Sequence, residues 1–271
     1  DDMIVNFCSE GFPKCTIDIS DLEIKEEEKN TTASLLRGVA KAFKDRGFDI
    51  KGFDANVTSK VLRGSGLSSS ASVEVLIGEI FNSLYGDDSL SPVEIAKIGQ
   101  YAENVYFGKP SGLLDQLSCA YGGIIGIDFE NKTEPKVEPL SFDFADYGLE
   151  MVITDTRGCH ADLTDEYAAV PPEMREIAHF YGKENLREVD FNAFIKDLGK
   201  IRECVKNDRA ILRAYHFFKE NDRVRYMLSE LKEGDIDTFL YNVTDSGNSS
   251  FRFLQNVYPS SCSSEQGLSL A

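Results

Sequence analysis

Three observations predict an α+β protein. Strand-like and helix-like stretches alternate through residues 1–155 without the regular rhythm of parallel βαβ units. Past Asp155 the chain turns mostly helical. Its 271 residues, 42% apolar and 28% charged, suffice for one large domain or two ordinary ones with buried cores. The change of character places a domain boundary near Thr156, dividing residues 1–155 from 156–271. No internal repeat stands out.

Taken in order, residues 3–8 and 14–19 read as a strand pair joined by Glu10-Gly11-Phe12-Pro13. Glu26-Glu27-Glu28-Lys29 reads as a solvated surface turn. Thr31 or Thr32 caps a helix that carries Leu35, Leu36, Val39, Ala40 and Phe43 and stops at Gly47. Residues 50–62 are extended and feed residues 63–72, RGSGLSSSAS. Out of that turn comes an amphipathic helix with Val73, Leu76, Ile77, Ile80, Phe81 and Leu84 along one face, ending near Tyr85-Gly86. Ser68 stands where its N-cap belongs. Ser91, Pro92 and Glu94 form a capping box with proline at the first helical position, and the spacing predicts a helix to about Phe107. Gly108-Lys109-Pro110-Ser111-Gly112 breaks it. A short helix opens at Leu113 and closes at Gly122-Gly123. Residues 124–129, 136–140 and 149–154 have strand character. Residues 163–240 are mostly helical, interrupted at Pro171-Pro172, with a long stretch over about 207–232.

The net charge of −17 argues against nucleic acid or an anionic membrane as the main partner. No apolar run is long enough to span a bilayer. Six cysteines are scattered without a Cys-x-x-Cys pair and read as reduced packing thiols of a cytoplasmic protein. His160, His179 and His216 show no metal-ligand spacing, and His216, among aromatics on a helix, reads as structural. The chain opens on Asp1-Asp2 rather than a basic leader, within a strand already under way, and closes on the start of a helix. It therefore reads as a piece cut at both ends. The expected assembly is a monomer or weak oligomer.

Residues 63–72 hold two glycines and five serines with little bulk, before a helix whose positive end lies behind them. Such a turn lets backbone N–H groups gather around a small anion, which suggests a nucleotide-phosphate cradle. A Gly/Ser run before a helix is as often only a loop and a cap. Neither common phosphate pattern fits. The Walker ending Gly-Lys-Ser/Thr is missing because Leu67 follows Gly66, and the dinucleotide pattern fails because Ser69 stands in place of the third glycine. Three further positions could do chemistry. Glu103 lies on a helix and is ordinarily solvent-facing. Asp115 sits in the first turn of a short helix, where the dipole alone favours a carboxylate. Tyr167 would by default be a core tyrosine.

Together these stretches resemble a family. Gly64-Ser65-Gly66-Leu67-Ser68-Ser69-Ser70-Ala71-Ser72 is similar to the second signature motif of the GHMP small-molecule kinases in its galactokinase form. Ala102-Glu103, followed by Gly108-Lys109-Pro110-Ser111-Gly112-Leu113-Leu114-Asp115-Gln116, resembles the galactokinase segment that holds the catalytic aspartate. Two residues, Leu113 and Leu114, separate the glycine from the aspartate as in galactokinases, where mevalonate kinases typically have one. The stretch from His160 to Tyr167 resembles the galactokinase segment whose tyrosine touches the sugar.

The resemblance implies the GHMP kinase fold, with an N-terminal domain of ribosomal-protein-S5-like type and a ferredoxin-like C-terminal domain, both incomplete here. It implies ATP and Mg²⁺ as cofactors and galactose as substrate, phosphorylated at its anomeric hydroxyl. By position, Gly64, Ser65, Gly66, Leu67, Ser68, Ser69 and Ser70 would cradle the ATP phosphates, and Ser70 and Glu103 would ligate Mg²⁺. Asp115 would act on the sugar hydroxyl, with Gly112 and Tyr167 lining the sugar pocket. The family's first motif (Gly-Glu-His-Thr-Asp-Tyr-like), with its catalytic arginine and sugar-selecting acids, occurs nowhere in the sequence, and the glycine-rich third motif is also missing. The 271 residues alone are therefore expected not to turn over substrate. A kinase for a related sugar such as N-acetylgalactosamine, and a non-catalytic sugar and ATP sensor, remain the alternatives.

Overall fold

A computed structural model describes residues 2–60, 67–154, 156, 164–260 and 262–271. It divides into two compact units, Asp1–Ile125 and Gly126–Ala271.

The first unit opens with β1 (Ile4–Ser9) and β2 (Cys15–Asp18), the expected strand pair, antiparallel with Phe7 opposite Cys15. Helix α1 (Thr32–Asp45) carries the chain over to β3 (Asp54–Val57), which lies parallel to β1 with Asn6 opposite Asp54. The sheet order is β2-β1-β3. A parallel neighbour requires such a crossover. Alternate β1 residues Val5 and Phe7 point into the core with Leu36, Val39 and Phe43 of α1. Three more helices follow: α2 (Ser69–Tyr85), α3 (Pro92–Tyr101) and α4 (Leu114–Tyr121). Ile77 and Phe81 of α2 and Ile95 and Ile98 of α3 complete that core. The capping box is formed as expected. Glu94 N–H donates to the Ser91 hydroxyl, and the Glu94 carboxylate accepts from Ser91 N–H at 2.9 Å.

Several local expectations fail for stated reasons. The Thr31 hydroxyl does not cap α1 but donates to the Glu28 carbonyl at 2.5 Å. Glu28 is not a free surface acid, because its carboxylate takes Nε and Nη2 of buried Arg37 at 2.8 and 2.7 Å. Helix α3 does not run regularly to Phe107, since Ala102–Phe107 is a π turn. The inner face of α2 is also not the one read from its apolar spacing. Ala71, Glu74, Val75, Gly78 and Asn82 are buried with Ile77 and Phe81, while Leu84 is exposed.

The second unit is mostly helical. Strands β4 (Ile124–Asp128) and β5 (Lys136–Leu140) form a two-stranded sheet. Helices α5 (Thr164–Phe180), α6 (Phe191–Val205), α7 (Asp208–Glu233), α8 (Ile236–Ser249) and α9 (Gly267–Leu270) follow. Its core joins Ile177 and Ala178 of α5, Phe194 and Ile201 of α6, and Ala210, Ala214 and Phe218 of α7. His216 is buried, with Nδ1 2.9 Å from the Ser249 hydroxyl, and burial holds its pKa below the ordinary value. Two expectations fall here. Residues 149–154 form no strand: Met151 and Val152 are each 80% exposed, and apolar character alone makes no strand without a partner to pair with. Pro171 and Pro172 do not break the helix but lie inside α5, whose Glu173 is fastened to Arg209 and Arg213 of α7 directly after them. The compact units part at Gly126, earlier than the change of composition near Thr156. Gly126 lies so close under Leu228 of α7 that a Cβ there would be 2.7 Å from Leu228 Cδ2, which ties the end of β4 to the helical unit.

Candidate active site

The candidate site is assembled from the start of α2, the π turn and the start of α4. Ser68, at the N-cap position of α2, is left-handed (φ 57°, ψ 44°), and its side chain makes no capping bond. Its carbonyl accepts from Ser72 N–H at 3.1 Å, and the Ser72 hydroxyl donates to the Ser69 carbonyl at 2.8 Å. Two residues into the helix, the Ser70 hydroxyl donates to Glu103 Oε1 at 3.2 Å, linking positions 33 apart in sequence.

Glu103 stands at the start of the π turn Ala102–Phe107. The extra residue in a π turn shifts every following side chain around the helix axis. The Glu103 carbonyl accepts both Gly108 N–H (3.0 Å) and Lys109 N–H (3.1 Å), closing the turn. The Glu103 side chain is buried, not solvent-facing as a helical glutamate would ordinarily be. Asn104 then pins the following loop. Its Oδ1 accepts from Ser111 N–H at 2.7 Å, while Gln100 Nε2 donates to the Ser111 carbonyl at 3.1 Å.

Past that loop, α4 presents neighbouring residues to opposite environments. Asp115 is exposed in the first turn, near the positive helix end. Gln116 is buried and donates from Nε2 to Glu103 Oε2 and to Glu74 Oε2, both at 2.9 Å. Gly112 is exposed, with open space where a Cβ would stand. Lys109 leans in from the surface, its Nζ 3.4 Å from Glu103 Oε1.

The electrostatics are unusual. Glu74 is fully buried, and its pKa is pushed up to about 8, chiefly by loss of solvation. The Gln116 hydrogen bond opposes that shift and the Glu103 charge adds to it. Glu74 Oε1 and Gln116 Oε1 are buried without a hydrogen-bond partner. Burial raises the Cys119 thiol above its ordinary value, with Asp115 and Glu74 adding, so it is not an activated nucleophile.

The donor set fits a magnesium ion. Mg²⁺ on a nucleotide takes one or two protein oxygens together with phosphate oxygens and water, not a full protein cage. Ser70 Oγ and Glu103 Oε1 are two such oxygens, already 3.2 Å apart. Among the described residues no three His, Cys, Asp or Glu side chains group as a metal cage.

The structure brings Ser70 and Glu103 together and places Asp115 next to the glutamine that holds Glu103. Leu67 is exposed, and Ser68 and Ser69 are half-buried at the mouth of α2. Gly64, Ser65 and Gly66 lie outside the described residues, as do residues 157–163. Tyr167 stands on α5 in the second unit, 51% exposed. Reading the sequence missed Glu74 and Lys109. Glu74 carried one signal: four residues after Ser70, it shares a helix face with it. Lys109, alone in a loop, carried none.

Residues 34–123 match the model of the GHMP kinases N terminal domain. A galactokinase of Clostridium tetani is 32% identical over 84% of this chain and 59% of its own length. One of Actinobacillus pleuropneumoniae is 35% identical over 78% of this chain and 54% of its own. The chain thus spans between half and two thirds of these relatives. The crystal structure of Lactococcus lactis galactokinase complexed with galactose superposes with a TM-score of 0.74 at 24% identity, over 93% of this chain and 65% of that one. At that identity the likeness establishes the fold. Among the described residues no helix is long and apolar enough to cross a membrane, and Cys8, Cys15, Cys119, Cys204 and Cys262 are free thiols.

Proposed function

We propose that this chain, which belongs to the GHMP kinases, serves in the ATP-dependent phosphorylation of galactose at its anomeric hydroxyl, giving galactose 1-phosphate. The observation that carries this reading is the bond from Gln116 to Glu103. It joins the serine-rich start of α2, through Ser70 and Glu103, to the helix that displays Asp115.

Phosphoryl transfer asks the protein for position and charge compensation more than for covalent chemistry. Residues 64–70 would receive the ATP phosphates, with the backbone N–H groups and positive end of α2 behind them. Ser70 and Glu103 would hold Mg²⁺, which supplies charge neutralisation on the phosphates when bound. Asp115, exposed beside the open space at Gly112, would hold the sugar hydroxyl and take its proton as the oxygen attacks the γ-phosphorus. Gly112 and Tyr167 would bound the sugar. Residues 1–155 would form the ATP-binding domain and 156–271 the C-terminal domain of a cytoplasmic enzyme. The galactokinase names of the relatives support galactose over other sugars.

The test is ADP release from Mg-ATP with galactose, glucose, mannose and N-acetylgalactosamine, using the protein that carries this chain at its full length. Turnover is expected with galactose. Asp115→Asn should lower it on the order of 10²–10⁴-fold and leave ATP binding nearly intact. Near-normal turnover in that variant would remove Asp115 from the chemistry. Sugar and nucleotide binding without any turnover would make the protein a sensor.

A further inference from the structure

Glu74 has no place in the reaction just described, yet the fold accommodates it at a cost. It lies one turn beyond Ser70 on the inner face of α2, fully buried. A leucine there would carry no desolvation penalty, whereas a carboxyl group must be stripped of water. The neighbouring helix makes room for it. A Cβ on Gly99 of α3 would lie 3.1 Å from Glu74 Cβ, tighter than ordinary contact, and 3.4 Å from Gln116 Cγ.

What the carboxyl does at that position is grip Gln116. The Gln116 amide nitrogen divides its two hydrogens between Glu74 Oε2 and Glu103 Oε2. One planar group from α4 is thereby held by α2 on one side and by the π turn on the other. We propose that Glu74 is a positioning residue: through Gln116 it fixes α4, and with it Asp115, against the Ser70–Glu103 pair.

The kinetic consequence rests on the kinase reading above, but the mechanical link between α2 and α4 does not. The two unpartnered oxygens, Glu74 Oε1 and Gln116 Oε1, fit the same picture. A neutral Glu74 carries a hydrogen that can satisfy an acceptor in the cluster, and burial favours the neutral form. Glutamine in place of Glu74 would keep an acceptor for the Gln116 amide and supply N–H donors of its own.

The test compares Glu74→Met, similar in size but unable to accept the bond, with Glu74→Gln. Two readouts are taken: steady-state kinetics and hydrogen exchange of the α4 amides in the ligand-free protein. Glu74→Met should lower kcat about 10- to 100-fold with little change in either KM, because ground-state contacts remain while the reacting geometry loosens. It should also speed exchange in α4 and leave α1 unchanged. Glu74→Gln should keep kcat within about threefold of the parent and keep α4 protected. Wild-type kcat in Glu74→Met, or a Gln variant as impaired as the Met variant, overturns the assignment.

If the parent turns over none of the sugars, the kinase reading falls while exchange still decides the link. Faster α4 exchange in the Met variant alone upholds it, and unchanged exchange overturns it. Should Glu74→Met fail to fold, Glu74→Leu, which likewise cannot accept the bond but leaves Gln116 to Glu103, is read in its place, with the same slowing and the same faster exchange expected.

Discussion

Each compact unit buries a glutamate between helices, and the two are met in opposite ways. In the second unit, Glu173 receives Arg209 through Nε and Nη2, the latter at 2.5 Å, and Arg213 through Nη1 at 3.0 Å. Arg213 spends its Nε on the Leu254 carbonyl at 3.0 Å. Charge is answered by charge, and both Glu173 oxygens have partners. In the first unit, Glu74 is answered by one amide, sits near a second carboxylate, and keeps an unpartnered oxygen. A buried acid ringed by arginines needs no further role than holding α5 to α7. A buried acid left short of positive charge raises the question of what else it serves, and here it adjoins the residues proposed for the kinase site.

The sharpest way to test that contrast is to remove a compensating charge. Arg213→Ala leaves Glu173 with the half-exposed Arg209 and frees the Leu254 carbonyl. It should destabilise the second unit by about 3 kcal/mol, the lower end for breaking a buried pair because Arg209 remains. The measurement is the fall in the urea midpoint of the transition that exposes α5 and α7. A loss below about 1 kcal/mol would mean that Glu173 is no better compensated than Glu74.

The next effect is the pH dependence of the first unit. Burial raises Glu74 from an ordinary value of 4.5 to about 8, so the folded state holds a proton that the unfolded chain releases. The stability contributed by that neutral acid is complete below 4.5 and is lost as pH rises through about 8. Between those limits stability should fall by at most about 1.4 kcal/mol per pH unit. Urea titrations across that window should show the fall in the parent and a flatter course in Glu74→Gln, which has no proton to lose. An equal slope in both would place its source elsewhere.

These contrasts also mark where the sequence was legible. The strand pair, the Ser91–Glu94 capping box, the glycine-closed short helix and the long α7 follow from local rules, and they form. Glu103 was singled out by family resemblance, while its environment was not legible. It lies buried at the start of a π turn closed by Gly108 and Lys109 N–H groups, ahead of a loop pinned by Asn104, none of which helical spacing reveals. Glu74 was hidden because apolar spacing pointed to the face with Val73, Leu76 and Ile80, whereas α2 docks through Ala71, Glu74, Gly78 and Asn82. Small and polar residues face inward where helices approach closely, which is the reverse of what an apolar stripe suggests. The Glu173 cluster joins residues nearly forty apart and leaves no local trace.

The smallest expected effect concerns Lys109, the cation that does approach the first unit's cluster. Its ammonium is 3.4 Å from Glu103 Oε1, but the side chain is 61% exposed. Water and salt therefore screen it, and such pairs contribute between nothing and about 1 kcal/mol. Lys109→Met should shift the first unit's urea stability by less than about 1 kcal/mol. It should leave the α4 amides as protected as in the parent, because α4 is held through Gln116 and not through the lysine. A loss of several kcal/mol would show that Lys109 does for Glu103 what the arginines do for Glu173. The first unit would then also answer a buried acid with a cation, and its contrast with the second would rest on Glu74 alone.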